Sequence, residues 1–293
     1  MGKKVEGVCR ICQKYGKLSR EHFPPKGAYN RDSFKVQGIN QHKRVDDMLV
    51  WYETQKHGGN ARYATCEECN NLTGDWYARD YINFVKKIQP YARPMNVGLG
   101  EIDVSDFYPL RVVKQVLCSF LVVINPNEKA KLDAACAPSA KRDGNLPPPE
   151  LFMDVSMAHN ALPEIRRLVL DREATELPEG VRLYMYLIGQ PAGRTSSIGV
   201  MGSRTTGKVA ILSELAWWPV GWALFFHGEP SEPLLDVTEW ADLGYNTVVS
   251  ATLRLPCHWI EGKFPLDFRD PRTFEEGVAK QQAVVDERKA ASR

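Results

Sequence analysis

No apolar run in the chain is long enough to cross a membrane: the longest, residues 210–226, is interrupted by Glu214 and Pro219. The N-terminal residues Met-Gly-Lys-Lys-Val-Glu-Gly lack the apolar stretch of a signal peptide. There is no internal repeat, and no overall excess of one charge, the formal net charge being +2. Nor is there a disulfide framework. The cysteines number seven, an odd count, and Cys118, Cys136 and Cys257 are scattered. These absences set aside membrane-spanning and disulfide-stapled secreted classes and lead to the expectation of a soluble, cytoplasmic protein in a reducing compartment.

What is present is ordinary globular material, with 43% hydrophobic and 25% charged residues. A length of 293 residues is long for one domain and short for three, so two are expected. The near-neutral total hides an asymmetry. Residues 1–90 carry 16 Lys+Arg against 10 Asp+Glu, and the remainder 22 against 26. A basic front and an acidic rear suit a chain whose first part meets a polyanion.

The basic part also holds the chemistry. Two pairs, Cys9-Arg-Ile-Cys12 and Cys66-Glu-Glu-Cys69, have the C-x-x-C spacing that lets two thiolates of one tight turn occupy two corners of a tetrahedral zinc site. Four thiolates close the shell and leave no position for water, so the zinc is expected to be structural. Any reaction then falls to groups held beside it. Glu21-His22, bracketed by the pairs, and Asn70-Asn71, directly after the second pair, are the candidates.

Ser19-Arg-Glu21-His22-Phe-Pro24-Pro25-Lys26, Gly58-Gly59 and Cys66-x-x-Cys69-Asn70-Asn71-x-x-Gly74, together with the first cysteine pair, resemble the HNH endonucleases. The likeness is to their zinc-stapled form, also seen in a phage Holliday-junction resolvase, and covers roughly the first 85 residues. It implies a small ββα-metal, treble-clef-like domain. In such a domain His22 is the general base, and Glu21 and Asn70 hold one catalytic Mg²⁺ or Mn²⁺. The implied activity is metal-dependent hydrolysis of phosphodiester bonds in nucleic acid, DNA above RNA, and the implied setting is bacterial phage defence or a mobile element. Two departures are visible. The family's acid is usually Asp where this chain has Glu21, and its central Asn normally lies one residue nearer the second cysteine pair than Asn60 does. The rival reading is a zinc-dependent nucleic-acid-binding or assembly module with an inactive HNH core.

Three residues rank behind these. Asn71 reads as a helix cap, Asp75 as a first-turn acid complementing the helix dipole, and His57 as a solvent-facing loop histidine.

The expected organisation is α+β throughout. Residues 1–88 form the zinc-stapled domain, 89–101 a Pro/Gly-containing linker, and 102–293 a larger α+β domain with a mostly antiparallel sheet, which engages a protein partner or other ligand. Within the first domain a strand is expected over residues 18–22, ended by Pro24-Pro25. A long loop follows over 27–62, with one helix near 46–55, and then a helix from Cys69 to about Lys87, in which Tyr77, Tyr81, Phe84 and Val85 recur at helical spacing. Gly74 costs that helix about 1 kcal/mol relative to Ala, which points to close approach of a nucleic-acid backbone.

In the second domain helices are expected at 110–124, 162–170 and from Phe274 onward. A polar connection is expected over 137–150, and strands at 152–157, 181–188, 198–201, 209–215, 220–226 and 247–255. Gly202-Ser-Arg-Thr-Thr-Gly207-Lys208 mimics a phosphate-binding loop, but Val209 stands where Ser or Thr is required, so a hairpin turn is expected. Trp217, Trp218 and Trp222 read as core aromatics at strand spacing.

Overall fold

The computed structural model describes residues 5–45, 48–92, 99–124, 149–202, 209–230 and 233–258. It divides into two compact units, a large one built from 1–32, 58–141 and 147–260, and a small one that includes 33–57. The architecture is α+β, as expected, with a small N-terminal sheet, a four-cysteine cluster and a larger, mostly antiparallel sheet. No helix among the described residues is long and apolar enough to cross a membrane.

The large unit begins with a three-stranded sheet in the order β1 (Glu6–Val8), β2 (Tyr15–His22) and β5 (Ala61–Cys66). Its pairs are antiparallel, and Val8 opposes Tyr15, so β1 and β2 form a hairpin around the first cysteine pair. The β2–β5 ladder runs from Leu18 opposite Cys66 to His22 opposite Ala61, with one extra residue, Ala64, on β5. A bulge of this kind turns a backbone group away from the ladder. Here the Ala64 carbonyl receives the Arg10 N–H at 2.9 Å, docking the cysteine turn on the sheet.

From Cys66 the chain passes directly into α1 (Glu67–Thr73), then a π-helical turn (Gly74–Ala78), then α2 (Arg79–Ile88). Tyr77, Tyr81, Phe84, Val85 and Ile88 are all buried, which is the apolar stripe expected for this stretch. Residues 89–101, the expected linker, hold a 3₁₀ turn at Gln89–Tyr91 and the first residues of β6 (Leu99–Phe107), while 93–98 lie outside the described residues. Buried side chains from Cys9 to Leu255, before and after that stretch, belong to one hydrophobic cluster.

The centre of this cluster is α3 (Pro109–Val123), where every side chain except Arg111 is buried. Pro109 starts it at a position where a missing N–H costs nothing. Around it lies a seven-stranded sheet in the order β6-β12-β7-β10-β9-β8, with β11 (Leu235–Asp236) beside β7. The remaining strands are β7 (Arg182–Ile188), β8 (Gly193–Gly202), β9 (Val209–Trp217), β10 (Val220–His227) and β12 (Val249–His258). All pairs are antiparallel except β12 with β7. β8 and β9 pair with Gly202 opposite Val209, the hairpin expected in place of a nucleotide loop, although 203–208 lie outside the described residues.

Two expectations are overturned. Residues 152–157, read as a strand, belong to α4 (Pro149–Leu170), which also starts well before the expected helix at 162–170. A short apolar run carries no period that separates a strand from a buried helix. The expected loop with a helix near 46–55 is instead an antiparallel hairpin of β3 (Phe34–Val45) and β4 (Met48–Lys56). Val50, Trp51, Tyr52 and Thr54 are strand-favouring residues, and a partner strand a few residues away supplies their backbone bonds. This hairpin is the described core of the small unit, closed at its base by Ser33 Oγ and His57 Nδ1 at 2.8 Å. Of the expected connection over 137–150, residues 149–150 instead begin α4 and 137–148 lie outside the described residues, as do the helix expected from Phe274 and Cys136.

Candidate metal centre and the residues around it

The four paired cysteines converge. Their Sγ atoms all lie within 4.8 Å of one another, and those of Cys12 and Cys66 are 3.8 Å apart. A tetrahedral site with Zn–S bonds of about 2.3 Å has sulfur–sulfur edges of about 3.8 Å, so the spacing fits a zinc ion. Each pair is positioned by its own backbone. In the first, the Cys9 N–H donates to Lys14 O and the Gln13 N–H to Cys9 O, both at 2.9 Å, with Gln13 in the left-handed region at φ 62°. In the second, Cys66 is the N-cap of α1, its sulfur accepting the Cys69 N–H at 3.5 Å.

Crowding four thiols has an electrostatic result. The hydrogen bond from the Cys69 thiol, ahead of other contacts, holds Cys9 down to about 4, while Cys69 is pushed up by that same contact and by burial. Burial also raises Cys12. One thiolate thus forms at its neighbours' expense, and a divalent cation is what lets all four ionise together. The four-cysteine cluster is therefore a site suited to structural zinc.

The far end of α3 is fastened to this cluster. Arg10, inside the first pair, donates through Nη1 to the carbonyls of Val122 and Ile124. Arg62 Nη1 donates to Val123 O at 3.3 Å. These are the last carbonyls of a helix, unpaired within it and at the negative end of its dipole, so two guanidinium groups are well matched there. From α4, Arg166 Nε donates to Arg10 O at 2.9 Å, and the Cys9 thiolate acts on its charge. Sequence reading missed all three arginines, since no local pattern marks them.

Glu21 and His22 are the last two residues of β2. His22 Nε2 lies 3.0 Å from Gly58 O. A carbonyl only accepts, so this contact requires the proton on Nε2 and, in the neutral ring, leaves Nδ1 with the lone pair. Glu21 is half-buried and its carboxyl is raised to about 7 by that burial; among the described residues it has no hydrogen bond or ion pair. Burial without a charged partner favours the protonated carboxyl.

Asn70, on α1, reaches β2 close to Glu21 in the chain. Its Nδ2 donates to Ser19 Oγ at 3.0 Å, two residues before Glu21 on β2, and the β2–β5 register shifts between Ser19 and Arg20. Glu21 and Asn70 Oδ1 are oxygen donors of a type suited to Mg²⁺ or Mn²⁺.

The loop behind His22 is stapled by a pair that sequence reading did not single out. Asn30, fully buried, donates through Nδ2 to Pro24 O at 2.6 Å and to Asn60 O at 3.0 Å, while its Oδ1 accepts the Asn60 N–H at 2.5 Å. The Asn60 carbonyl also accepts the Phe23 N–H at 3.1 Å. A Cβ on Gly59 would come within 2.2 Å of Asn30 O, and Gly59 has φ 81°, so only glycine fits. The available signals were Gly58-Gly59 and Asn60; nothing in the sequence pointed to Asn30.

The second-rank residues are not drawn in. Asn71 is exposed in the interior of α1 rather than capping it, because Cys66 already caps that helix. Asp75 is exposed in the π turn, and His57 is exposed and bonded to Ser33. Trp222 is fully buried, as expected, whereas Trp218 packs edge-on against Tyr29 at 4.9 Å. Comparison with known proteins gives no match, whether to a protein-family model, a curated protein or a solved structure.

Proposed function

We propose that the chain is a metal-dependent endonuclease of the HNH type that hydrolyses phosphodiester bonds in DNA. The observation that carries the reading is the contact between His22 Nε2 and Gly58 O, 3.0 Å long, at the end of a strand adjoining the four-cysteine cluster. It leaves Nδ1 able to accept a proton, which is what a general base requires. In this reading His22 Nδ1 takes a proton from a water molecule as that water's oxygen bonds to phosphorus, and the bond from phosphorus to the 3′ oxygen breaks. Glu21 and Asn70 would hold Mg²⁺ or Mn²⁺, which supplies stabilisation of the charge that builds on the phosphate and on the departing oxygen. Lys26, Lys35, Lys43, Arg44 and Lys56, in the basic N-terminal part, would meet the DNA backbone. The later, acidic part would engage a protein partner or other ligand and position or restrain the nuclease.

A second reading, a zinc-dependent nucleic-acid-binding or assembly module with an inactive core, draws support from the arginine clamp. Arg10, Arg62 and Arg166 give the cysteine cluster a structural task that needs no catalysis. Nicking of supercoiled plasmid in Mg²⁺, Mn²⁺ or EDTA separates the two. Cleavage with Mg²⁺ or Mn²⁺ that falls by about 10²–10⁴-fold in zinc-replete His22→Ala, with DNA affinity retained, is the result expected of the endonuclease. Equal cleavage by wild type and variant, or none by either, overturns it.

A further inference from the structure

The Ser19 hydroxyl lies between the strand that carries Glu21 and the helix that carries Asn70. Its Oγ is 3.0 Å from Thr65 O and 3.0 Å from Asn70 Nδ2. A serine hydroxyl has one proton, and a carbonyl can only accept. The proton is therefore committed to Thr65 O, and the Ser19 oxygen is left to accept. Of the two ends of the Asn70 amide only the NH₂ can answer that oxygen, so the orientation of the amide follows from the hydrogen-bond network. Asn70 Oδ1 is turned to the opposite side, where it accepts no hydrogen bond among the described residues.

The same hydroxyl ties both candidate ligands to one frame. Thr65 is on β5 opposite Ser19, and Glu21 is two residues further along β2, past the register shift between Ser19 and Arg20. Asn70 is in the second turn of α1, whose start is fixed by Cys66. The bond from Asn70 to Ser19 thus links the zinc-capped helix to the strand bearing Glu21.

We propose that Ser19 is a positioning residue for a divalent-cation site formed by Glu21 and Asn70: it selects the amide orientation that presents Asn70 Oδ1, not the NH₂, to the cation. The proposal rests on the reading of Glu21 and Asn70 as ligands given above. Residues in this position, one bond behind a metal ligand, typically change metal affinity by about 10–100-fold when removed.

The test uses full-length, zinc-replete protein and Mn²⁺ as the probe, with affinity read by electron paramagnetic resonance of free Mn²⁺. Wild type should bind one Mn²⁺ beyond the zinc, and Glu21→Gln should abolish that binding. Ser19→Ala should weaken Mn²⁺ by at least about tenfold at unchanged zinc content, and Ser19→Thr, which keeps the hydroxyl, should restore it. The deciding comparison is in an Asn70→Asp background. A carboxylate has no wrong end, so Ser19→Ala should there leave Mn²⁺ affinity within about twofold, whereas a merely structural loss would persist. If Ser19→Ala fails to retain zinc, Ser19→Cys replaces it in both backgrounds, its thiol being a weak donor and acceptor. Equal Mn²⁺ affinity of wild type and the Ser19 variant overturns the proposal alone. Absence of Glu21-dependent Mn²⁺ binding in wild type overturns the ligand reading and the proposal with it.

Discussion

Arg10 Nη1 lies 3.2 Å from the carbonyl oxygen of Ile124, joining the turn between the first two cysteines to the end of a helix more than a hundred residues further along the chain. The bond is charge-assisted and satisfies a carbonyl that the helix cannot pair internally. Since Arg62 and Arg166 reach the same region, the cysteine cluster sits where the small sheet, α3 and α4 meet. Metal held there would stabilise more than a surface turn.

Purified without added zinc, the protein should carry one zinc per chain, and Cys66→Ser should lose it. Because α3 and α4 are fastened to the cluster, zinc loss should lower the cooperative unfolding temperature of the whole large unit and not merely fray residues 5–22. Structural zinc contributes on the order of 10–16 kcal/mol of apparent binding energy in small domains, ample for this. Metal analysis paired with hydrogen exchange along α3 provides the check. Full zinc occupancy in Cys66→Ser, or unchanged protection of α3 after zinc loss, would contradict it.

Asn30→Ala should cost about 2–4 kcal/mol, since three buried hydrogen bonds to Pro24 and Asn60 vanish and the groups they served stay buried. Asn30→Asp should also destabilise, because a carboxylate cannot donate to the Pro24 and Asn60 carbonyls. Denaturant unfolding reads both. Any DNA cleavage should fall as well, through the loop that carries Gly58 and so orients His22. A change below about 0.5 kcal/mol would show that the staple is dispensable.

Glu21 gives the large unit a pH dependence of defined sign. Its carboxyl is raised by burial from an ordinary 4.5 to about 7, so between those values the folded protein keeps a proton that the unfolded chain has shed. Stability should therefore fall as pH rises through that window when divalent cations other than the structural zinc are absent. The contribution lost is on the order of 2–3 kcal/mol. In Glu21→Gln this part of the slope should disappear. Unfolding free energies at pH 5, 6, 7 and 8 for both proteins decide the matter, and identical slopes would remove Glu21 as the source.

Gly74→Ala separates fold from contact. Gly74 has ordinary helical angles, and a Cβ there would meet nothing within 4 Å. The substitution should stabilise the protein by up to about 1 kcal/mol. If the open space at Gly74 serves the approach of a DNA backbone, the stabilised variant should bind duplex DNA more weakly than wild type at equal salt. Unchanged affinity would leave the glycine without a role in binding.

The sequence by itself determined the four-cysteine cluster and many of the regular elements. The C-x-x-C pairs were legible because two sulfurs two residues apart share one turn, whatever the rest of the chain does. The helical stripe of Tyr77, Tyr81, Phe84 and Val85, the helix at 110–124 and the strands at 181–188, 209–215 and 220–226 were legible because their apolar patterning is local. What depended on distant partners was not. Residues 34–56 are polar enough to read as loop, and only pairing of β3 with β4 makes them strands. Residues 152–157 took helical form as part of a long helix, which six residues could not announce. Arg10, Arg62 and Arg166 look like surface charges until α3 and α4 bring carbonyls and sulfur to them. Glu21 and His22 were identifiable as a pair, but tertiary structure alone decided that one is desolvated and the other tied to Gly58. The physical reason is common to all of these: charge, burial and hydrogen-bond direction are properties of surroundings, and the surroundings of each residue come from elsewhere in the chain.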